Sequence, residues 1–346
     1  MAIDLYATRS MMKQIETTFP PQSWLLDNFF TETDISQSEH VDVDVLTGKR
    51  KMAPFVHPSS AGVVDRRTGY STKTMKPAYV KPYRISEAAD YLKRFPGENI
   101  YASKSRDQKV AELMAKDLFE LNEQITRREE WMAAQQLTTG QIPIVGEGVS
   151  VTIDLGLQST HNLVNTDLVD NGWATASSCA PLTDLDAWQL VISQDSGFVA
   201  RDVIMGATAY TKFIASDQVQ EEWLPAGGQF TGTALVRGDE TTGAIWRGQA
   251  RGKNIWTYNE LYLDDDGSTV GKMIPDKRVV MVARGARAVK HYGAIMDMDA
   301  PGGAAVRVFP KSWRESNPSV QYVMLQSAPL PFFHQIDAFL TALVVA

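Results

Sequence analysis

The sequence contains a single cysteine, Cys179, among its 346 residues. One thiol excludes an intrachain disulfide, and a thiol-based zinc site would need ligands that the chain does not have. No apolar stretch approaches the roughly 20 residues that span a bilayer, and the first residues show no basic segment followed by an apolar one. We therefore expect a protein of a reducing compartment, without a signal peptide or a membrane partner.

The chain also lacks an excess of positive charge. It has 34 Lys and Arg against 41 Asp and Glu, a formal net charge of -7, whereas proteins that grip nucleic acid phosphates are usually basic overall. Specific DNA binding is thus disfavoured. A content of 44% hydrophobic and 22% charged residues is typical of a globular chain and excludes disorder over its whole length.

Motifs for catalysis or for binding a metal or cofactor are scarce. The five histidines are scattered, and none forms an i,i+4 ligand pair. Residues 264–267 resemble part of a calcium loop, but that alignment puts Tyr262 first and Met273 last, where oxygen ligands are required. We expect a turn there and predict no catalytic residue, cofactor or metal site, although a triad assembled in space stays open.

Five large apolar residues crowd the end of the N-terminal region, residues 1–30. They are Trp24, Leu25, Leu26, Phe29 and Phe30. Such a cluster must be covered, either by the core of the chain itself or by a partner. We interpret this region as an arm that docks onto a neighbouring subunit.

Residues 31–85 show strand-like alternation and a turn at Thr47-Gly48, but no helical period. A long two-stranded hairpin is marginally stable by itself, so this one is expected to need an external surface. Its start is acidic, and residues 49–84 carry nine bases against Asp65 alone. This segregation predicts head-to-tail charge complementarity between copies, although a solvated polar loop is the plainer alternative. The acidic residues are Glu32, Asp34, Glu39, Asp42 and Asp44, and the bases are Lys49, Arg50, Lys51, Arg66, Arg67, Lys73, Lys76, Lys81 and Arg84.

The clearest helix is predicted over residues 105–138. Apolar residues recur at helical spacing, Ser105 and Gln108 form a capping-box pattern, and Gly140 stands just past the end. After it, alternation over residues 149–155 predicts a strand with one buried and one solvated face. Shorter helices are predicted from Asp184 and over residues 207–222.

Several segments resemble the major capsid protein E family of lambda-like tailed bacteriophages. They occur in the family's order and with its spacing, nearly from end to end, and the set of segments carries the resemblance. The segments are Ala78-Tyr79-Val80-Lys81-Pro82, Val280-Met281-Val282 leading through Arg284 and Arg287 to Tyr292-Gly293, Asp297-Met298-Asp299-Ala300, Phe309-Pro310-Lys311-Ser312-Trp313, and Met324-Leu325-Gln326-Ser327-Ala328-Pro329-Leu330.

This resemblance implies an α+β fold, the tailed-phage major capsid fold named after the Hong Kong 97 phage. It assigns an N-terminal arm to residues 1–30 and an E-loop to residues 31–90. A peripheral domain over residues 91–183 would contain a long spine helix at 105–138. Residues 184–296 would form the axial domain, and residues 297–346 would return to the peripheral domain as strands.

The resemblance further implies a structural subunit, not an enzyme. Copies would assemble through pentamers and hexamers into an icosahedral shell around double-stranded DNA, in the cytoplasm of a host bacterium. A scaffold protein, a portal, a decoration protein and non-specifically contacted DNA are the other partners expected. The residues expected at contacts between subunits are Trp24, Phe29, Phe30, Lys49, Arg50, Lys51, Arg66, Arg67, Lys73 and Lys76.

Two alternatives remain open from the sequence. A tail-tube or portal subunit would also be acidic, free of cofactors and oligomeric. An enzyme of unrecognised chemistry would instead show a pocket containing ionisable groups with perturbed pKa values.

Overall fold

The computed structural model describes most of the chain, with gaps. The described residues are 6–17, 23–46, 52–53, 55–59, 61–62, 64, 70–87, 89–90, 106–146, 148–168, 172–222, 238–239, 243–264, 267–317 and 319–345.

Helices and strands alternate irregularly along the chain. The α-helices are α1 (Thr8–Thr17), α2 (Trp24–Phe29), α3 (Arg106–Thr139), α4 (Pro181–Ser196), α5 (Ala207–Ala215) and α6 (Asp217–Glu222). The strands up to α6 are β1 (Glu32–Ile35), β2 (Val41–Leu46), β3 (Tyr70–Met75), β4 (Tyr83–Glu87), β5 (Gln141–Gly146), β6 (Val149–Asp154), β7 (Asn162–Leu163) and β8 (Asp202–Met205). The later strands are β9 (Gly238–Asp239), β10 (Ala244–Ala250), β11 (Lys253–Tyr258), β12 (Leu261–Leu263), β13 (Val270–Lys272), β14 (Arg278–Val282), β15 (Ala288–Tyr292), β16 (Ile295–Asp297), β17 (Ala300–Ala304), β18 (Phe309–Ser316), β19 (Ser319–Gln326), β20 (Pro329–Phe333) and β21 (Phe339–Leu343).

The largest sheet has seven strands in the order β7-β21-β14-β8-β11-β10-β9. Strand β14 lies near its centre and pairs with β21 on one side and with β8 on the other, both antiparallel. Its residues Val279 to Val282 are fully buried, as expected of a strand covered on both faces. The sheet therefore forms the centre of the main hydrophobic core.

Helix α3 joins this core to a second, smaller one. Its 34 residues at about 1.5 Å each make a rod about 50 Å long. Met114, Leu118 and Ile125 in its first part pack with Met11 of α1 and with Val323 of β19. Residues 132–137 of its last part pack in the main core instead. One long element thus fixes the two cores relative to each other.

Smaller sheets pack around the seven-stranded sheet and α3. Strand β1 pairs in parallel with β15, which also pairs with β20. Strands β18, β19 and β4 form an antiparallel sheet beside the first part of α3. The pairs β2–β3, β5–β6, β12–β13 and β16–β17 are two-stranded hairpins.

The long helix predicted over 105–138 is confirmed, displaced by one residue at each end. Gly140 follows it with φ of +72°, and Ser105 lies outside the described residues. The single helix predicted over 207–222 is wrong, because Ser216 has extended ψ and separates α5 from α6. The helix predicted from Asp184 begins at Pro181, where a proline fits because the first helical N–H groups need no helical acceptor.

The strand predicted over 149–155 forms as β6, but its predicted burial is wrong. Val149 and Val151, on the face expected to be buried, are exposed, and only Ile153 is buried in this strand. The β5–β6 hairpin therefore presents apolar side chains on the surface of the subunit.

Candidate assembly surfaces

The apolar cluster at the N-terminal region is covered by the chain's own core. Trp24, Phe29 and Phe30 are each at most 5% exposed. The Trp24 ring lies 5.4 Å from the Tyr258 ring and 5.2 Å from the Trp256 ring of β11. In this conformation the chain's own core covers these three residues, the alternative that the sequence left open, and they offer little surface to a neighbouring subunit.

A buried carboxylate holds α2 in this position. Glu130 of α3 accepts hydrogen bonds from the backbone N–H groups of Leu25 at 2.7 Å and Leu26 at 3.0 Å. The Tyr258 hydroxyl donates a third bond to Glu130 at 2.8 Å. Burial raises the pKa of Glu130 to about 7, against the opposing effect of these three donors. Glu130 thus caps the first N–H groups of α2, a role the sequence analysis did not identify.

The hairpin predicted from residue 31 onward exists as β2 and β3, paired from Val41–Met75 to Leu46–Tyr70. Val41 and Val43 insert into the main core, so the stem is held by its own subunit. The basic residues expected near the tip, Lys49, Arg50, Lys51, Arg66 and Arg67, lie outside the described residues.

The acidic residues of the stem have partners within the same chain. Glu39 pairs with Lys76 at 2.5 Å, and Asp42 and Asp44 accept hydrogen bonds from threonine hydroxyls of β3. The ion pair lowers the pKa of Glu39. A basic tip from a neighbour would have to compete with these partners, which weakens the predicted charge complementarity between copies.

Glu32 and Asp34 of β1 contact the body of the subunit instead. Arg287 lies 3.2 Å from Glu32, and His291 of β15 lies 3.0 Å from Asp34. The acidic start of this region therefore serves in part to attach it to its own subunit.

Lys73 and Lys76, the two basic residues among the predicted contacts that are described, differ in their surroundings. The Lys73 ammonium donates to the backbone carbonyls of Asp154 at 3.2 Å and Leu155 at 3.0 Å. It bridges β3 to the end of β6. The Lys76 side chain is 54% exposed, with Glu39 as its ionic partner.

A groove runs beside this bridge. Its largest part, about 980 Å³, lies between residues 73–79 of the hairpin and residues 144–154 of the β5–β6 hairpin. Two adjoining cavities of about 290 and 340 Å³ continue it along α3, since they share Tyr79, Val80, Arg128 and Trp131 with their neighbours. Among the described residues, the buried indole N–H of Trp131 has no acceptor. The surface that lines the groove is mostly apolar.

Apolar side chains between β2 and β3 are exposed. Met52 and Val64 are nearly fully exposed, and Phe55 is fully exposed. A soluble subunit rarely leaves several such side chains uncovered without a partner for them. Sequence analysis emphasised the charges of this segment and missed these three residues.

A second exposed patch lies on the outer face of the β18–β19–β4 sheet. Trp313 of β18 stacks on Tyr322 of β19, with ring centroids 4.9 Å apart and planes at 4°. Tyr83 of β4 lies 6.3 Å from Tyr322. Trp313, Tyr83 and Ile85 are all at least 40% exposed, so this face is apolar and open to solvent.

No group of ligands for a metal ion occurs among the described residues. Strands β12 and β13 pair from Leu261–Lys272 to Leu263–Val270. The Gly267 N–H donates to the Asp264 carbonyl at 2.9 Å, and Gly267 has φ of +67°. The predicted turn at this position is confirmed. No helix in the described ranges is long and apolar enough to cross a membrane.

These features define an α+β subunit with one long helix, the β2–β3 hairpin packed on its core and exposed apolar surfaces suited to assembly. Residues 7–344 match the phage major capsid protein E family, and the chain belongs to that family. As a member of it, the chain is a structural protein and not an enzyme.

Individual relatives agree with this assignment. The major capsid proteins of Escherichia phages N15 and lambda are each 24% identical over 343 residues, covering 98% of this chain and 99% of theirs. The crystal structure of a prophage protein of E. coli CFT073, assigned as a capsid protein, superposes with a TM-score of 0.74 at 21% identity and covers 100% of both chains. The predicted α+β tailed-phage capsid fold is confirmed.

Proposed function

We propose that this chain assembles with copies of itself, through pentamers and hexamers, into an icosahedral phage shell that encloses double-stranded DNA. The observation that carries the proposal is the family match over residues 7–344, with relatives that span the full length of the chain. The shell would be part of the virion and would form in the bacterial cytoplasm. A scaffold protein, a portal, a decoration protein and DNA held without sequence specificity are its proposed further partners.

The division of the chain into regions is part of the same proposal. Residues 1–30 would be the arm, 31–90 the E-loop, 91–183 and 297–346 the peripheral domain, and 184–296 the axial domain. The position of α3 between two cores supports its role as the spine. The seven-stranded sheet also draws β7 and β21 from outside 184–296, so the axial domain would share this sheet with the peripheral regions.

For the contact between subunits, we place the exposed apolar segment of one copy in the groove of the next. Met52, Phe55 and Val64 supply apolar surface without a cover, and the groove supplies a mostly apolar wall. The contact joins two different patches, and such contacts close into rings.

The basic residues Lys49, Arg50, Lys51, Arg66 and Arg67 would flank this contact, together with Lys73 and Lys76. They remain proposed contacts between subunits. Trp24, Phe29 and Phe30 are no longer proposed, because their own subunit buries them.

Electron microscopy and sedimentation test the function directly. The full chain is produced alone and together with the neighbouring phage genes that would supply a scaffold. We expect closed shells, or discrete pentamers and hexamers, in at least one condition. A stable monomer or dimer in both conditions would overturn the proposal, and open tubes or single rings would favour a tail-tube or portal subunit.

A further inference from the structure

Two buried histidines connect the hairpin stem to the body of the subunit. His291 of β15 and His334, just after β20, are each 4% exposed. Their Nε2 atoms face each other at 3.0 Å. The outer nitrogens contact two other segments: His291 Nδ1 lies 3.0 Å from an Asp34 carboxylate oxygen, and His334 Nδ1 lies 2.8 Å from the Asp44 carbonyl oxygen of β2.

The number of protons decides whether this chain of contacts holds. The carbonyl of Asp44 can only accept a hydrogen bond, so His334 Nδ1 must carry a hydrogen. The Asp34 carboxylate also only accepts, so its bond needs a hydrogen on His291 Nδ1. The facing Nε2 atoms have room for one hydrogen between them. Three bonds thus need three N–H hydrogens, whereas two neutral rings carry two and two imidazolium rings carry four.

One added proton therefore completes the chain, and a second one breaks it. With four hydrogens, two N–H groups and two positive charges would face each other at 3.0 Å, and neither N–H would have an acceptor. Burial lowers the pKa of both histidines, and for His291 the nearby His334 lowers it further. The second proton is thus taken up only in acid.

The other charges around the pair are few. Arg287 lowers the pKa of both rings, while Asp34 raises that of His291, and Asp44 and Glu32 raise that of His334. Glu32 is itself paired with Arg287. No described group therefore offers the two extra anions that a doubly protonated pair would need.

We propose that His291 and His334 form an acid-sensitive latch, which holds the hairpin stem to its own subunit at neutral pH and releases it when the pair binds a second proton. The second proton leaves the bond from His334 Nδ1 to the Asp44 carbonyl unbroken, so release comes from the two facing N–H groups, which push apart the buried rings that carry the stem contact. The latch acts within one subunit, so its test can fail while the proposal of shell assembly holds, and the reverse.

Hydrogen exchange of the full-length subunit tests the latch. Between pH 7 and pH 5, after correction for intrinsic exchange, we expect protection in β2 and β3 to fall at least about tenfold, the change that one proton gives per pH unit. Strands β14 and β8 at the sheet centre serve as an internal reference and should keep their protection. Equal changes in both pairs of strands, or no change in either, would overturn the latch.

Variants separate the histidines from general effects of acid. The amide nitrogen of asparagine can replace Nδ1 as a donor but takes up no proton, so His291→Asn with His334→Asn should keep the stem protected at pH 5. His40→Asn, at an exposed histidine just before β2, is the matched control and should lose protection like the wild type. Retained pH dependence in the double variant would contradict the proposal.

The wild-type protein provides a test that does not depend on folding of a variant. NMR titration of the histidine rings should show the His291–His334 pair binding protons in two separated steps. The second step should coincide with the loss of protection in β2 and β3. A hairpin that opens with the first step, or that stays closed through both, would refute the latch.

Discussion

Glu130 shows how much one side chain contributes to placing an element. It lies on α3, is buried, and holds the first N–H groups of α2 and the Tyr258 hydroxyl. Its pKa is raised from 4.5 to about 7 by burial. The folded chain therefore keeps this proton up to about pH 7, whereas the unfolded chain releases it near its ordinary value.

The consequence is a dependence of stability on pH with a definite sign. Between about pH 4.5 and 7 the folded state binds more protons, so the free energy of unfolding falls as pH rises through this window. We expect Glu130 to account for a fall on the order of 3 kcal/mol. Glu130→Gln should flatten this part of the curve, measured by urea unfolding of the subunit from pH 5 to pH 8.

The control for this experiment lies on the same helix. Glu123 forms an i,i+4 ion pair with Arg127 on the surface, and Glu123→Gln should leave the curve parallel to that of the wild type. If Glu130→Gln gave a parallel curve as well, the assigned role of Glu130 would be wrong.

The sequence predicted that the apolar residues of α2 must be covered, but it did not predict that the buried Glu130 holds this helix in place. The position of Glu129 does indicate a buried charge. It stands four residues after Ile125 and three before Met132, on the face of the helix that is predicted to be buried. In the structure it pairs with Arg307 at 3.1 Å and accepts from the Tyr292 hydroxyl at 3.1 Å. These partners are distant in the sequence, so no local pattern could have identified them.

Among the secondary-structure elements, local sequence signals predicted α3. Contacts between residues distant in the sequence determine which face of β6 is buried and where α5 ends. Helical periodicity and Gly140 placed the long helix to within one residue. Alternation in β6 correctly grouped the residues of each face, but it could not tell whether anything covers Val149 and Val151. Ser216 ends α5, and the next residue, Asp217, donates its N–H to Ala176, a contact that no helical period reveals.

The end of α3 allows a matched test with two glycines. Gly140 has φ of +72°, and an added Cβ would lie 2.7 Å from the Leu157 Cβ. Gly148 has φ of +75°, but a Cβ there would meet nothing within 4 Å. Gly140→Ala should therefore combine left-handed backbone strain with a steric clash, whereas Gly148→Ala should add strain alone.

We expect Gly140→Ala to lower the free energy of unfolding by about 2 to 4 kcal/mol, and Gly148→Ala by about 1 to 2 kcal/mol. Urea unfolding of both variants at one pH measures the difference. Equal losses would show that Leu157 yields easily and that packing after α3 is looser than the structure indicates.

For the whole molecule, the sequence established the class through a set of collinear segments and not through any chemical motif. Composition excluded several classes but did not indicate a fold. The boundaries of the regions were harder to predict, because β14 at the sheet centre pairs with β21, about 60 residues later. A chain that leaves a domain and returns to complete its sheet gives no local sign of where the domain ends.

Assembly is where the exposed segment between β2 and β3 should matter most. Met52 and Met298 are matched in residue type and exposure, at 89% and 91%, but only Met52 lies in the segment proposed to enter a neighbour's groove. Neither Met52→Ser nor Met298→Ser should change the stability of the free subunit by more than about 0.5 kcal/mol. Burial of one methionine contributes about 1.5 to 3 kcal/mol per contact, so Met52→Ser should raise the concentration needed for assembly at least about tenfold. Sedimentation over a range of subunit concentrations measures this threshold, and identical thresholds for the two variants would remove Met52 from the contact.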